Sequence, residues 1–179
     1  MTPALTISAA WLTAAGTQRV LRLLEDAGHQ AFVVGGALRN HLMGYAVEDI
    51  DIATDATPDA VMALASGANV KCVDTGAAHG TVSLIVEGQS FEVTSFRRDV
   101  ETFGRHATVA FGTDLTADAA RRDFTINALY AEATGAVFDP TGQGLDDLRA
   151  RRLRFIGAAD ARIREDYLRI LRYFRFHAF

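Results

Sequence analysis

The sequence predicts a mixed α/β (α+β) domain, a small twisted mixed sheet with helices on one side. Three observations carry that expectation: an apolar run, AFVVGG, that enters a pair of glycines; a run, DIDIAT, that alternates acidic with branched apolar residues; and helical periodicity near both ends of the chain. At 179 residues the chain suits one full-sized domain plus an appendage, and a domain of that size buries roughly 70% of its unfolded surface without a staple. Hydrophobic residues at 49% and charged residues at 22% are ordinary globular values, and no apolar run approaches the roughly 18 residues a membrane span needs. The opening segment, MTPALTISAAWLTAAG, has neither the basic start nor the apolar core of a secretory signal. The single cysteine, Cys72, excludes an internal disulfide and reads as a small buried residue beside Val70 and Val73; a cytoplasmic location is expected.

Taken in order, residues 9–27 read as a helix with Leu12, Val20, Leu23 and Leu24 as its apolar stripe and Gly28 as its stop. AFVVGG is a strand, 38–43 a short helix, and DIDIAT a strand with one polar face. Pro58 sits where the first helical position tolerates proline, so a helix follows Thr57. TVSLIVEG and SFEVTSF are two strands joined through Glu87, Gly88 and Gln89 as a hairpin. Residues 97–118 are polar and aperiodic, which predicts a mobile loop beside a site. FTINALYAEA is a strand candidate, and DPTGQGLDDLRARRLRFIG holds a turn, a short helix and room for a small strand. From Asp160 the pattern is helical to the last residue. No cap closes that helix, so the chain is expected to be a piece of a longer protein with further helical domains.

The formal charge of −4 hides an asymmetry. Residues 149–179 carry nine arginines against Asp160, Glu165 and Asp166, a local balance of +6 that leaves the rest at −10. A polyanion such as RNA or a nucleoside triphosphate would be drawn to that end; a solvated basic helix is the alternative.

Asp49 and Asp51 lie two apart on the DIDIAT strand, so both carboxylates are expected on one face with Ile50 and Ile52 turned to the core. Taken alone, such a pair is more often a solvated strand edge, but it gains a purpose if Mg²⁺ sits between the carboxylates and bridges nucleotide phosphates. Gly35 and Gly36 would let backbone N–H groups approach a phosphate, with Arg39 one turn further on as a charged ligand. Glu92, facing away from Phe91 and Val93, is the candidate third carboxylate. His79 stands alone beside a glycine and is left out of catalysis.

The segment VVGGALRNHLMGYAVEDIDIAT resembles the signature of the DNA polymerase β nucleotidyltransferase superfamily. The blocks DTGAAHGTVSLIVEGQSFEVTSFR, ARRDFTINALY, FDPTGQGLDDL and REDYLRILRYFRF are similar to those of class II CCA-adding enzymes and bacterial poly(A) polymerases, from Phe32 onward. The resemblance implies a polymerase β-like head over 1–157 and the first helix of a neck over 158–179. It implies that Asp49 and Asp51 bind two Mg²⁺ ions, that Gly35, Gly36 and Arg39 hold the triphosphate, and that Arg121, Arg122, Asp123 and Asn127 select ribose. Asp166 and Arg169 would then act as a protein template, with Arg172 and Arg175 beside them. The implied reaction is attack of a tRNA 3′-hydroxyl on the α-phosphate of CTP or ATP, with no membrane partner. The i, i+3, i+6 spacing of Asp166, Arg169 and Arg172 would put an acceptor beside donor forks on one helical face, and a helix salt bridge is the alternative. Asn40 departs from the aspartate usual in the family, and GRHATVAF departs from its arginine-proline pattern. Absence of a basic aromatic run at DTGAAHGTV favours CCA addition over poly(A) addition. CC-only or A-only addition and a noncatalytic RNA-binding module are the other readings.

Overall fold

Strand alternation explains most of the architecture seen in the computed structural model, which describes residues 1–103 and 106–178, the backbone alone over 98–103 and 106–109. The elements are β1 (Leu5–Thr6), α1 (Ala10–Thr13), α2 (Ala15–Glu25), β2 (Ala31–Val34), α3 (Gly36–Leu42), β3 (Asp51–Thr54), α4 (Pro58–Gly67), β4 (Lys71–Gly76), β5 (Thr81–Val86) and β6 (Gln89–Ser95). They continue with β7 (Arg97–Phe103), β8 (His106–Phe111), α5 (Leu115–Ala120), β9 (Tyr130–Ala131), β10 (Ala136–Phe138), α6 (Gly144–Arg149), α7 (Ala159–Glu165) and α8 (Leu168–His177), with 3-10 turns at Ala77–His79 and Thr125–Asn127. One sheet runs in the order β1-β10-β9-β2-β3-β6-β5-β4 and a separate ribbon pairs β7 with β8. Within the large sheet the β3–β6 pair is parallel and the other neighbours are antiparallel. The sheet is thus mixed, as expected, and larger than a small one.

Residues two apart on a strand share a face, and the two faces bury different cores. Val33, Ile52, Phe91 and Val93 pack with Val20, Leu21 and Leu24 of α2 and Val61 and Ala65 of α4. Phe32, Val34, Ala53, Tyr130 and Phe138 point the other way and meet Ala119 of α5. Helices therefore cover both faces, α5 adding to the side the sequence left open. Phe32 anchors the second core by edge contacts with Tyr130 and Phe138, ring centroids 6.0 and 5.9 Å away. Burying such a ring fully is worth about 1.5–3 kcal/mol.

Several elements differ from the sequence reading, each for a local reason. The 9–27 helix splits because Ala14 is extended (φ −58°, ψ 141°). The 38–43 helix begins earlier, at Gly36, on a Gly35 with φ 72°. The DIDIAT strand begins at Asp51, which pairs with Val34, the last residue of β2 before Gly35 turns that strand away. Residues 97–111 form the β7–β8 ribbon in place of a loop; Gly104 and Arg105 of GRHATVAF lie outside the described residues. FTINALYAEA is mostly a 3-10 turn followed by a two-residue strand. Its continuous apolar character reflects burial, with Thr125 N–H bonded to Arg154 O rather than to a strand ladder. The hairpin at Glu87 and Gly88 is as expected, both with positive φ. Cys72 is half-buried rather than buried, because β4 is the sheet edge, and Val73 beside it is exposed. Among the described residues no helix is long and apolar enough to cross a membrane.

The C-terminal helix also breaks. Asp166 is extended (φ −150°, ψ 107°), and its carboxylate accepts from Leu168 N–H at 2.9 Å, which starts α8 as a separate helix. A short polar side chain competing for backbone donors commonly interrupts a helix this way.

Candidate active site

A cleft of roughly 650 Å³ opens where α3 and β3 meet α6 and the end of α8. Gly36, Arg39, Asp49 and Asp51 line it, joined by Asp147, Arg151, Arg152, Phe176 and His177. Gly35 creates the bend that starts α3: its φ of 72° and ψ of −117° suit glycine, and its N–H donates to Leu129 O at 3.3 Å.

The carboxylates converge, although not as one strand face. Asp51 opens β3, and its register partner on parallel β6 is Glu92. Burial, then the neighbouring Glu92 charge, raise the Asp51 carboxyl above its ordinary value; Arg122 pulls it down and Asp49 adds to the rise. Asp49 is exposed and precedes the strand, a correction to the expectation that both lie on it. Ile50 and Ile52 are buried, as that reading required. Glu92 is exposed and does not line the cleft. Among the described residues no three His, Cys, Asp or Glu side chains form a metal-binding group. Of the carboxylates lining the cleft, Asp147 is bonded to Arg154 and Thr125, while Glu48, Asp49 and Asp51 follow one another along the chain with Glu92 strand-paired beside Asp51, a concentration of negative charge that a hard divalent cation would relieve.

Arg39 is held flat by neutral partners. Its guanidinium donates to Asn127 Oδ1 at 2.7 Å and to Asn40 Oδ1 at 2.8 and 3.2 Å, while Asn40 donates to Ala46 O. Asn40 thus orients Arg39 without neutralising it. Asn127 donates on to Asp123 Oδ1 at 3.2 Å, and Arg172 reaches Asp123 Oδ2 at 2.6 Å. The Arg39, Arg172 and Arg175 guanidiniums lie 4.6, 5.6 and 4.8 Å from the Phe176 ring centre. Burial first, and then the like charges of Arg175 and Arg172, lower the Arg39 pKa from its ordinary value, with Asp123 opposing. Three cations gathered on one ring, with Asp123 the carboxylate bonded within the network, make a site prepared for an anion.

Arg122 does not join that network. It bonds Asp118 Oδ2 at 3.2 and 3.0 Å and Tyr130 Oη at 2.8 Å, while Arg121 grips Asp118 Oδ1 and Tyr130 donates to Asp118 Oδ2. Burial works against the Asp118 charge, but Arg122 and Arg121 outweigh it and hold the carboxyl below its ordinary range. Of the residues read as ribose-selecting, Asp123 and Asn127 stand beside Arg39, whereas Arg121 and Arg122 lock the end of α5.

Asp166 and Arg169 do not share a helical face, because α8 starts after Asp166. Nor do they form the alternative salt bridge. Arg169 donates to Glu165 at 2.7 Å, Arg162 O at 3.0 Å and Arg121 O at 3.2 Å, tying α7, α8 and the head together. Sequence reasoning missed Asp118, Asp147 and Phe176. The i, i+3 and i, i+4 spacing of Asp118 with Arg121 and Arg122 was a legible signal for the first, and arginines interleaved with aromatics in RYFRF for the last.

Comparison with known proteins fits this arrangement. The family described as the Poly A polymerase head domain matches residues 31–154. The chain is 47% identical over 146 residues to "CCA tRNA nucleotidyltransferase 1, mitochondrial" of Danio rerio, covering 81% of this chain and 34% of that protein. Its fold is similar to the Bacillus stearothermophilus CCA-adding enzyme in complex with CTP, with a TM-score of 0.81 at 38% identity over 90% of this chain and 38% of that one. It is similar also to a tRNA nucleotidyltransferase complexed with a primer tRNA and an incoming ATP analogue, with a TM-score of 0.69 at 29% identity over 88% and 44% of the two chains. The chain spans little more than a third of the length of the curated relatives it matches.

Proposed function

Because the chain belongs to the Poly A polymerase head-domain family, we propose that it is the catalytic part of a template-independent RNA nucleotidyltransferase that adds C and A from CTP and ATP to the tRNA 3′ end, releasing pyrophosphate. The observation that carries this reading is one cleft holding Asp49 and Asp51 together with Arg39, whose guanidinium no carboxylate bonds among the described residues. We take residues 1–157 as the head and 158–179 as the start of the neck, a division that the left-handed Gly157 between them supports. The similarity to proteins named for CCA addition and solved with CTP, primer tRNA or an ATP analogue supports the substrate assignment. The single cysteine suits a reducing compartment, which we take to be the cytoplasm.

Asp49 and Asp51 would hold Mg²⁺, with Glu92 adding charge behind them, and the donor chemistry fits because these oxygens are acidic, adjacent and costly to leave uncompensated. When bound, the metal would lower the pKa of the attacking hydroxyl and neutralise the leaving pyrophosphate. The chain's own residues do the positioning. Gly35, Gly36 and Arg39 receive the triphosphate, with Arg172 and Arg175 stacked around Phe176 to add charge. Catalysis of this kind rests mainly on orientation and charge neutralisation. Incubation with tRNA lacking its 3′ end, each labelled NTP and Mg²⁺ tests the reading. Product lengths distinguish CCA from CC-only or A-only addition, a long A ladder assigns poly(A) addition, and no extension by the protein overturns it.

Sugar choice falls to Asp123 and Asn127, which can offer an acceptor and a donor to a 2′-hydroxyl next to Arg39. A polar pair matched to that hydroxyl is left unpaired by a deoxynucleotide. Asn127→Ala should therefore lower the CTP-to-dCTP ratio of kcat/KM by about tenfold or more, the scale of one good polar contact. An unchanged ratio removes the role from Asn127.

Base choice we assign to Asp166 and Arg169, an acceptor and a donor suited to the amine and ring acceptor of C or A. The bonds of Arg169 to Glu165, Arg162 and Arg121 favour a second reading, in which it clamps the two helices to the head. Arg169→Ala separates them. Loss of the CTP-over-UTP preference by roughly 10²-fold, the worth of two base contacts, supports base reading. A lowered melting temperature with the preference intact supports the clamp.

A further inference from the structure

The turn that follows α6 is a complete Schellman motif, with Arg152 N–H bonded to Asp147 O at 2.7 Å and Arg151 N–H to Leu148 O at 3.1 Å. Such a motif requires a left-handed residue just past the helix, a conformation glycine takes without steric cost. Gly28 after α2 and Gly44 after α3 meet the same need, at φ 85° and 78°, and after α4 Asn69 does so at φ 52°, its short polar side chain tolerating that region. After α6 the residue is Arg151, at φ 50°. A non-glycine residue held there is a local strain that the fold could have avoided, and such strain is concentrated at functional positions.

The side chain of Arg151 explains where that strain leads. It lines the cleft that holds Asp49 and Asp51 and is exposed. Among the described residues its guanidinium makes no hydrogen bond or ion pair. Arg152 lines the same cleft, its side chain 60% exposed and only loosely bridged to Asp147 at 3.7 Å. Asp147 does not cancel this pair, because its buried carboxylate is already forked by Arg154 at 2.9 and 3.0 Å and accepts from Thr125 Oγ1 at 2.8 Å. One unbonded guanidinium and one loosely bridged guanidinium therefore face a cleft that Arg39 also lines.

We infer that Arg151, with Arg152, docks the phosphodiester backbone of the single-stranded RNA acceptor beside the transfer site. The inference rests on the nucleotidyl-transfer reading of this cleft. The three arginines gathered on Phe176, with Arg39 half-buried and Arg172 bonded to Asp123, suit the compact charge of a triphosphate, whereas the unbonded fork of Arg151 suits a strand that must slide after each addition.

Arg151→Gly is the decisive variant, because it relieves the backbone while removing the charge. The protein should melt about 2–4 °C higher, the effect of roughly one relieved left-handed residue in a chain of this size. Its affinity for a short labelled single-stranded RNA, read by fluorescence anisotropy, should fall roughly three- to tenfold, with the slope of log Kd against log salt shallower by about 0.7. Arg151→Lys should keep most of the slope, and CTP binding should stay at the wild-type level in both. An unchanged RNA affinity and slope in Arg151→Gly overturns the inference. Weakened CTP binding with RNA binding intact also overturns it, by moving the arginine to the triphosphate. Because binding is read without turnover, a wild-type protein that binds RNA but extends no acceptor would count against nucleotidyl transfer while leaving the phosphate site standing.

Discussion

Replacing Asp51 with alanine is expected to lower nucleotidyl transfer by about 10²–10³-fold or more, the usual effect of losing one preorganised electrostatic group. The fold should not suffer. Asp51 is half-buried, and burial together with the Glu92 and Asp49 charges raises its carboxyl above the ordinary value, so its removal relieves repulsion. Without metal, Asp51→Asn should therefore melt at or above the wild-type temperature. Adding Mg²⁺ reverses the order, because a ligand that binds the folded state stabilises it in proportion to ln(1 + [L]/Kd), and the Asn variant lacks the charge to bind. The pH dependence has a definite sign. A folded carboxyl pKa raised above the unfolded value makes ionisation a cost, so the stability of the metal-free protein gains from this group as pH falls through the raised pKa. Near-normal transfer by Asp51→Ala in Mg²⁺, or equal Mg²⁺-induced shifts for Asn and wild type, would remove the metal-binding role. Asp49→Ala should show the same activity loss with a smaller change in melting, since Asp49 is exposed.

Asp118→Ala should produce the largest loss of stability, about 3–5 kcal/mol, as expected when one partner of a buried charge network is deleted. Asp118 is about 1% exposed and receives Arg121, Arg122 and Tyr130 at once. Its loss leaves the Arg121 guanidinium and the Tyr130 hydroxyl without this acceptor and Arg122 with Tyr130 Oη alone, on the α5 side of the sheet. The melting temperature should fall by roughly 6–20 °C on the per-residue scaling for a chain of this size. Asp118→Asn keeps an acceptor for Tyr130 and should lose less. Because Asp118 titrates below its unfolded value, its contribution is complete above the ordinary carboxylate range, near pH 4, and is lost as pH falls through the lowered folded value. Urea titrations of wild type and Asp118→Asn across pH 3–7 check this, and curves that stay parallel below pH 4 would sink the assignment. Since Arg122 is held in this network, we expect Arg122→Ala to act first on stability and only through it on ribose choice.

The sequence by itself determined the local chemistry. Gly35 and Gly36 after an apolar run announced the bend into α3, Ile50 and Ile52 announced the buried side of DIDIAT, and Thr57-Pro58 announced a helix start, where Thr57 Oγ1 does accept from Ala60 N–H. These are effects of residues on their immediate neighbours, and periodicity records them directly. Tertiary structure alone decided what competes for the same groups. Asp49 lies outside the strand where β2 turns away at Gly35, Asp166 left the helix because its carboxylate found the Leu168 amide, and 97–103 and 106–111 became a ribbon because the two segments could pair with each other. Arg122 was drawn from the expected ribose group by Asp118 and Tyr130, and Arg169 from Asp166 by Glu165 and backbone carbonyls. A guanidinium has five donors and a long stem, so its partner is whichever acceptor folding brings within reach, and no spacing rule along the chain contains that distance.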